Sequence, residues 1–204
     1  MSSTATELDI HRLGAKLFAA NPEVVDGDAY IGIFHRWIQA RDLDGTPIDV
    51  ADYKHVPKGP GIMLISHEAD RSLDFADGRP GAVYQRKRDL TGSLEDRLAA
   101  VIGAADATAD RIEGEEDAAG VRFDRDEIEL RFHDRRLAPN SDAGLALVED
   151  AVRSALAQVR PGHAAAIARA EADPRAPLTL RVTLSGTCRG ARAGWARAPR
   201  GGET

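Results

Sequence analysis

The chain has 204 residues, 43% hydrophobic and 29% charged, a composition typical of a folded globular protein rather than a disordered or fibrous one. Its 27 basic and 33 acidic residues give a net charge of −6, which argues against a general nucleic-acid binder because phosphate contacts require a basic surface. No apolar run approaches the ~20 residues of a membrane span, and the first residues lack the basic flank and apolar core of a signal peptide. We therefore expect a cytoplasmic protein with neither nucleic acid nor a membrane as partner, and the abundance of Arg, Ala, Gly, Asp and Pro indicates a GC-rich bacterial source.

The first 41 residues are predicted to form a pair of helices. The first helix is predicted over residues 7–20 from apolar side chains at helical spacing, namely Ile10, Leu13, Leu17 and Phe18. The second, over residues 27–41, carries an apolar stripe made of Tyr30, Ile31, Phe34, Trp37 and Ile38. We expect this stripe to anchor a core or to form the contact of a homo-oligomer through the Trp37 helix.

Residues 42–60 contain several prolines and glycines and are predicted to be a loop with little regular structure. Three strands are then predicted from one continuous apolar run and two segments that follow it, over residues 62–65, 72–75 and 82–87. Together they indicate an antiparallel meander over residues 61–88.

The second half of the chain is predicted to alternate helices with short strands. Apolar residues with a period of 3.6 predict helices over 93–112 and 142–159, and an Ala-rich segment predicts a shorter one over 163–172. Alternating patterns predict strands around 121–123, 128–132 and 178–184. The first two of these are predicted to form a hairpin through Asp124-Arg125-Asp126.

From Val83 onward the predicted order of elements is βαββαβ, which is the order of a ferredoxin-like unit spanning residues 83–184. We therefore predict an α+β protein with an antiparallel sheet, in one domain over residues 1–185. Residues 186–204 hold four Arg and one Glu without an apolar period, which predicts a disordered basic tail. The tail contains the chain's one cysteine, Cys188, so an intramolecular disulfide and a multi-cysteine metal cage are excluded.

The strongest candidate site lies around a polar turn that follows the predicted strand 62–65. His67, Glu68 and Asp70 supply the imidazole and carboxylate groups that proton transfer near neutral pH requires, and we expect them to be catalytic. The loop at 55–61 brings in His55, so that His55, His67 and Asp70 are a candidate metal-ligand set. A purely structural turn, with Asp70 accepting from backbone amides, is the alternative.

Other polar residues form less specific groups. His133 is followed by Asp134, a carboxylate that could orient the imidazole, and then by Arg135 and Arg136, whose planar forks suit an anion. A basic patch on the third predicted strand comprises Arg79, Arg86, Lys87 and Arg88. Each group also has a plain structural explanation, as the polar closure of a strand or a loop.

The sequence supports two classes of function. The first is a module that binds a small ligand or a protein partner, because no Walker loop, dinucleotide glycine fingerprint or Gly-x-Ser-x-Gly elbow is present. The second is a metal-assisted hydrolase that uses the His/Glu/Asp cluster around residues 55–70. Which cofactor the protein uses, if any, is unknown from the sequence.

Overall fold

A computed structural model describes residues 8–41 and 43–186, which form eight strands and three helices. The strands are β1 (Leu13–Ala19), β2 (Pro47–Tyr53), β3 (Gly61–Ser66), β4 (Ala69–Asp74), β5 (Gly81–Arg86), β6 (Phe123–Phe132), β7 (Ala164–Arg169) and β8 (Leu178–Ser185). The helices are α1 (Gly27–Ala40), α2 (Leu94–Glu113) and α3 (Asp142–Val159). The α+β class predicted from the sequence is confirmed.

All eight strands join one antiparallel sheet in the order β2-β3-β4-β5-β1-β6-β8-β7. The first strand of the chain therefore lies in the middle, hydrogen-bonded to β5 on one side and to β6 on the other. The two edges of the sheet are β2 and β7.

The two faces of the sheet differ in what covers them. On one face, Leu17 lies opposite Ala82 and Ile128, all three buried, and the three helices pack on this apolar layer. The other face carries no helix within the described ranges, and Lys16 and Glu129 lie opposite each other on it. We call these the helix-covered face and the open face.

Each helix begins at a polar cap and turns its apolar stripe to the core. Asp26 caps α1 by accepting from the backbone N–H of Asp28, and Ser141 caps α3 by accepting from that of Gly144. Ser93 and Asp96 form a reciprocal capping box at the start of α2. The helices predicted over 27–41, 93–112 and 142–159 are confirmed, because periodicity and caps agree at all three places.

The predicted helix over residues 7–20 is wrong, since residues 13–19 form β1. Leu13, Ala15 and Leu17 face the helices, whereas Lys16 and Phe18 face the other way, and all five are buried. A central strand is covered on both faces, so its sequence lacks the alternation that marks an exposed one. The N-terminal helical pair is therefore a strand followed by a helix.

Three further element predictions are wrong. Part of the predicted loop 42–60 is the edge strand β2, the predicted hairpin at 121–132 is the single strand β6, and the predicted helix 163–172 contains β7. From β5 onward the order is thus strand, helix, strand, helix, strand, strand, which differs from the βαββαβ order of a ferredoxin-like unit. The prediction for the alanine-rich segment was wrong because alanine favours helices, whereas pairing with β8 makes this segment the strand β7.

The apolar stripe of α1 is used inside the chain. Trp37 is 1% exposed, packs against Phe34 at 5.1 Å between ring centroids, and donates from Nε1 to Glu115 Oε1 at 2.6 Å. A homo-oligomer through this helix stays a prediction. None of the helices in the described ranges combines the length and the hydropathy of a membrane span. The predicted tail beyond residue 186, with Cys188, lies outside the described residues.

Candidate functional site

Polar residues that flank several strands meet at one end of the sheet. Arg12 precedes β1, His133 follows β6, and His67 follows β3. Because neighbouring strands are antiparallel, the start of one lies beside the end of the next. Leu13 accordingly pairs with Phe132, so Arg12 and His133 become neighbours.

These residues line an open, polar depression that we call the basic cleft. It consists of two adjoining hollows of about 610 and 680 Å³, and both have Arg12 and His133 in their walls. Six basic side chains line it, against the four carboxylates of Asp9, Asp70, Asp89 and Asp134; the six are Arg12, Arg86, Lys87, Arg88, Arg135 and Arg136. His11 and His67 complete the polar wall.

Only the lysine of this basic set has a carboxylate partner within the described residues. Lys87 Nζ lies 2.7 Å from Asp70 Oδ1. Arg86 donates to the backbone oxygens of Arg88 and Asp89, and Arg88 Nη2 lies 3.1 Å from His67 Nε2. Five guanidinium groups of the cleft thus have no counter-ion in residues 8–41 and 43–186.

Arg12 and the arginine pair after β6 differ in what they touch. Arg135 donates to the backbone oxygen of Arg175, whereas Arg12 and Arg136 make no side-chain hydrogen bond or ion pair with any described residue. Arg12 is exposed and lies between the two hollows. Its guanidinium is therefore available to a ligand in either.

The carboxylates of the cleft are held by other groups. Asp134 Oδ1 accepts from the backbone N–H groups of Arg136 and Leu137, at 3.0 and 3.2 Å. Asp9 Oδ1 lies 2.6 Å from His11 Nε2. Since these acids point at backbone amides or at histidine, they leave the guanidinium charges of the cleft without a direct counter-ion.

His133 is a neutral residue in a positive environment. Burial, together with the charges of Arg131 and Arg12, lowers the pKa of His133 to about 4. Its backbone N–H donates to the carbonyl of Arg12 at 3.0 Å, and its Nε2 is buried without a hydrogen-bond partner among the described residues. The pKa of His133 is therefore sensitive to any negative charge that enters the cleft.

The turn between β3 and β4 holds the three predicted catalytic residues. His67 and Asp70 line the basic cleft, where Asp70 accepts from Ser66 N at 3.1 Å as well as pairing with Lys87. Glu68 accepts from the backbone N–H of Thr46 at 2.7 Å, which lowers the pKa of that carboxyl, and its Oε1 lies 3.5 Å from His67 Nδ1. Gly45 makes room for it, since a Cβ there would collide with Glu68 Oε2. A catalytic role for the three stays a prediction.

The structure does not bring the predicted metal ligands together. His55 lies in the turn after β2, beside the start of β3, whereas His67 follows the end of β3. A strand of six residues is about 20 Å long, so His55 and His67 lie at opposite ends of the sheet. Throughout the described part of the chain, no group of three or more His, Cys, Asp and Glu side chains is arranged to hold a metal ion.

The turn that contains His55 borders a different cavity, of about 300 Å³. Tyr53, Val56 and Phe75 give it apolar walls, and Lys54 and Lys58 lie at its rim. Both lysines pair with carboxylates, Lys54 with Asp28 and Asp52 and Lys58 with Asp77 at 3.7 Å. The basic cleft, in contrast, holds five guanidinium groups with no counter-ion among the described residues, and it is therefore the stronger candidate.

The sequence identified parts of the basic cleft but not the site. Arg86, Lys87 and Arg88 were recognisable as a basic patch, and His133 with Arg135 and Arg136 as a second polar group. Arg12 was missed because the predicted helix placed it within a helical segment. The signal that points to the site is an arginine or histidine beside the strand ends that meet there, namely Arg12 before β1, His67 after β3, Arg86 at the end of β5 and His133 after β6; it becomes visible once β1 is recognised as a strand.

Comparison of the chain with protein-family models, with curated proteins and with solved structures gives no match. The chemistry of the basic cleft is therefore inferred from its own side chains.

Proposed function

We propose that this protein binds a small molecule carrying phosphate or carboxylate groups in the basic cleft. The observation that supports it is the set of five arginines without a carboxylate partner in the described residues, arranged around neutral His133. Several arginines outside the cleft are closely paired with carboxylates, as Arg79 is with Glu127 and Arg160 with Asp106. The five arginines of the cleft differ from these.

Arginine suits this task because its planar fork of N–H donors matches the oxygens of a phosphate or carboxylate. An anion on Arg12 would supply the missing negative charge. Each hollow, at about 610 and 680 Å³, has the size of small-molecule sites, which run from ~300 to 1,000 Å³. The net charge of −6 concerns the whole chain, so a locally basic cleft selects small anions without making the surface generally basic.

His133 provides a reporter inside the cleft. Its pKa is low partly because Arg12 and Arg131 are positive, so a bound anion offsets their field. We expect the pKa of His133 to rise from about 4 towards the ordinary value near 6.5 when the cleft is occupied. The test is an NMR titration of the His133 ring, without anion and with saturating pyrophosphate or citrate.

Arg12→Gln should weaken pyrophosphate binding about tenfold or more, because a charge-assisted hydrogen bond contributes ~1.5–3 kcal/mol. The matched control is Arg153→Gln on α3, where the arginine is paired with Glu149 at 2.6 Å and lies outside the cleft. Equal affinity in the two variants, or a His133 titration that pyrophosphate and citrate leave unchanged, would overturn the proposal.

Two further expectations accompany this proposal. Cytoplasmic location is tested by cell fractionation, and a homo-oligomer through α1 by light scattering on the purified full chain. A monomeric mass at all concentrations would contradict the second and leave ligand binding by the basic cleft intact.

A further inference from the structure

A smaller cavity lies on the helix-covered face, between the C-terminal halves of α1 and α2. Its volume is about 150 Å³. We call it the Arg71 cavity; its walls are formed by Trp37, Leu43, Asp44, Arg71, Ala104, Ala107, Thr108 and Arg111. It is separated from the basic cleft by the sheet, since Asp70, the neighbour of Arg71 along β4, lines the cleft from the open face.

Arg71 is placed where the sheet is otherwise apolar. In the cross-strand register it lies opposite Leu64 of β3 and Tyr84 of β5, both buried. Continuing across the sheet, that row consists of Ala15, Leu130 and Leu180, also buried. A charged side chain in a row of core residues costs folding free energy unless it is paired.

Arg71 nevertheless has no polar partner in residues 8–41 and 43–186. It is 8% exposed, and no hydrogen bond or ion pair joins its guanidinium to a described residue. Its Cζ lies 5.3 Å from the centre of the Tyr84 ring, a contact that uses the flat face of the group and none of its N–H donors. The five donors of the fork are therefore left for whatever occupies the cavity.

A second cationic side chain, that of Arg111, lies in the wall of the Arg71 cavity. Arg111 lies over the ring of Trp37, with its Cζ 4.6 Å from the centroid, and its charge contributes to lowering the pKa of Arg71 after the larger effect of burial. The hydroxyl of Thr108 donates to Ala104 O at 2.8 Å, so it has no hydrogen left for a ligand. Asp44 is exposed and lies beyond ion-pair distance of Arg71.

We infer that the Arg71 cavity is a second binding site, for a small oxyanion such as inorganic phosphate or sulfate. Its volume equals that of roughly five water molecules at ~30 Å³ each, which accommodates a tetrahedral ion of five heavy atoms. The Arg71 fork binds two of the oxygens, and the anion neutralises a cation that no described residue pairs. This inference does not depend on the function of the basic cleft.

Trp37 makes the site measurable, because it lines the cavity and the chain has only one other tryptophan, Trp195. A Trp195→Phe variant of the full chain leaves Trp37 as the sole tryptophan. Its emission is followed during titration with sodium phosphate, sodium sulfate and sodium chloride. Sodium gluconate, whose anion is larger and carries a single charge, keeps the ionic strength constant.

The expected result is a saturable change of Trp37 emission with phosphate or sulfate. Arg71→Met, which keeps much of the aliphatic stem and removes the fork, should weaken that response at least about tenfold. Asp44→Asn should strengthen it, since it removes a nearby negative charge. A linear, unsaturable response, or an equal response in Arg71→Met, would overturn the site, and a response to chloride alone would overturn the oxyanion assignment.

Two controls separate this site from the basic cleft and from misfolding. Arg12→Gln should leave the Trp37 response unchanged; loss of that response in Arg12→Gln would mean that the signal comes from the cleft and would overturn the inference. Arg71→Lys retains a positive charge without the planar fork. It should bind phosphate more weakly than the unmodified chain and more strongly than Arg71→Met, and any other ranking contradicts a site built on the fork.

Discussion

On the open face of the sheet, Lys16 and Asp74 are each 2% exposed and their Nζ and Oδ2 atoms lie 3.3 Å apart. On the helix-covered face, Arg71 is 8% exposed and has no carboxylate of the described chain within ion-pair distance. Both faces therefore bury a cation on a strand. Only the open face provides each buried cation with a counter-ion from the protein.

The pairing on the open face extends across four strands. Arg131 donates to Asp74 at 2.8 Å and pairs with Glu129 at 2.7 Å, and Arg181 bridges Glu129 and Glu127. The chain of ion pairs ends at Arg79, which donates to both oxygens of Glu127, at 2.9 and 2.7 Å. Phe18 lies beneath it, with the guanidinium carbons of Arg79 and Arg181 4.0 and 4.5 Å from its ring centre.

This difference separates structural charges from ligand-binding ones. Burial and a lowered pKa occur on both faces: burial lowers the pKa of Lys16 as it does that of Arg71. What distinguishes them is that Asp74 opposes the shift at Lys16, whereas no described residue makes an ion pair with Arg71. The lack of a carboxylate partner among the described residues, rather than burial, marks the cations of the candidate binding sites.

The largest expected effect is that of Asp74→Asn, which removes the counter-ion shared by Lys16 and Arg131. Buried Lys16 would then have no carboxylate partner among the described residues, and Arg131 would keep only Glu129, so the expected loss is about 3–5 kcal/mol of the free energy of unfolding. Urea denaturation at pH 7 measures it. The matched control, Glu149→Gln, breaks a surface pair with Arg153 and should cost under about 0.5 kcal/mol. Equal losses would show that the open-face network is no more important than a surface pair.

Acid provides a second way to test the network. Hydrogen bonds from Arg79 and Arg181 lower the pKa of Glu127 to about 2, from 4.5. A depressed pKa means that the stabilisation is complete above about pH 4.5 and is lost as the pH falls towards about 2. Glu127→Gln should make the urea midpoint fall less steeply in that window and cost ~1–2 kcal/mol at pH 7. A slope as steep as that of the unmodified chain would contradict an ionised, paired Glu127.

The sequence correctly predicted the elements that bury one side only, because the spacing of their apolar residues then shows the type of element. The helices α1, α2 and α3 each bury one stripe, and each has a polar cap, so periodicity and capping located all three. The predictions for the central strand β1 and the edge strand β7 were wrong for opposite reasons. The first is covered on both faces and shows no alternation, and the second has small exposed alanines that carry no strand signal.

The candidate sites were less predictable because they depend on pairing across the sheet. The sequence grouped His67, Glu68 and Asp70 by proximity along the chain, yet only His67 and Asp70 line the cleft, whereas Glu68 accepts from Thr46 N and lies 3.5 Å from His67. The sequence did not indicate that Arg71 is buried, because an arginine next to Asp70 in a polar turn is expected to be exposed. Its burial follows from the register of β4 with β3 and β5, which no local pattern encodes.

The smallest expected effect is that of Arg71→Met on stability without oxyanions, and it tests the comparison most directly. The substitution removes the cost of burying an unpaired charge and loses the contact with Tyr84, so the free energy of unfolding should change by less than about 1 kcal/mol. The matched variant on the open face, Lys16→Met, leaves buried Asp74 without its lysine and should be clearly more destabilising. Urea denaturation in gluconate buffer compares the two.

Adding phosphate should then stabilise the unmodified chain and the Lys16→Met variant, because binding to the folded state raises its stability by mass action. The Arg71→Met variant should be stabilised less than either. If Arg71→Met in gluconate costs as much as Lys16→Met, Arg71 is satisfied within the protein, and the two faces do not differ in the way proposed.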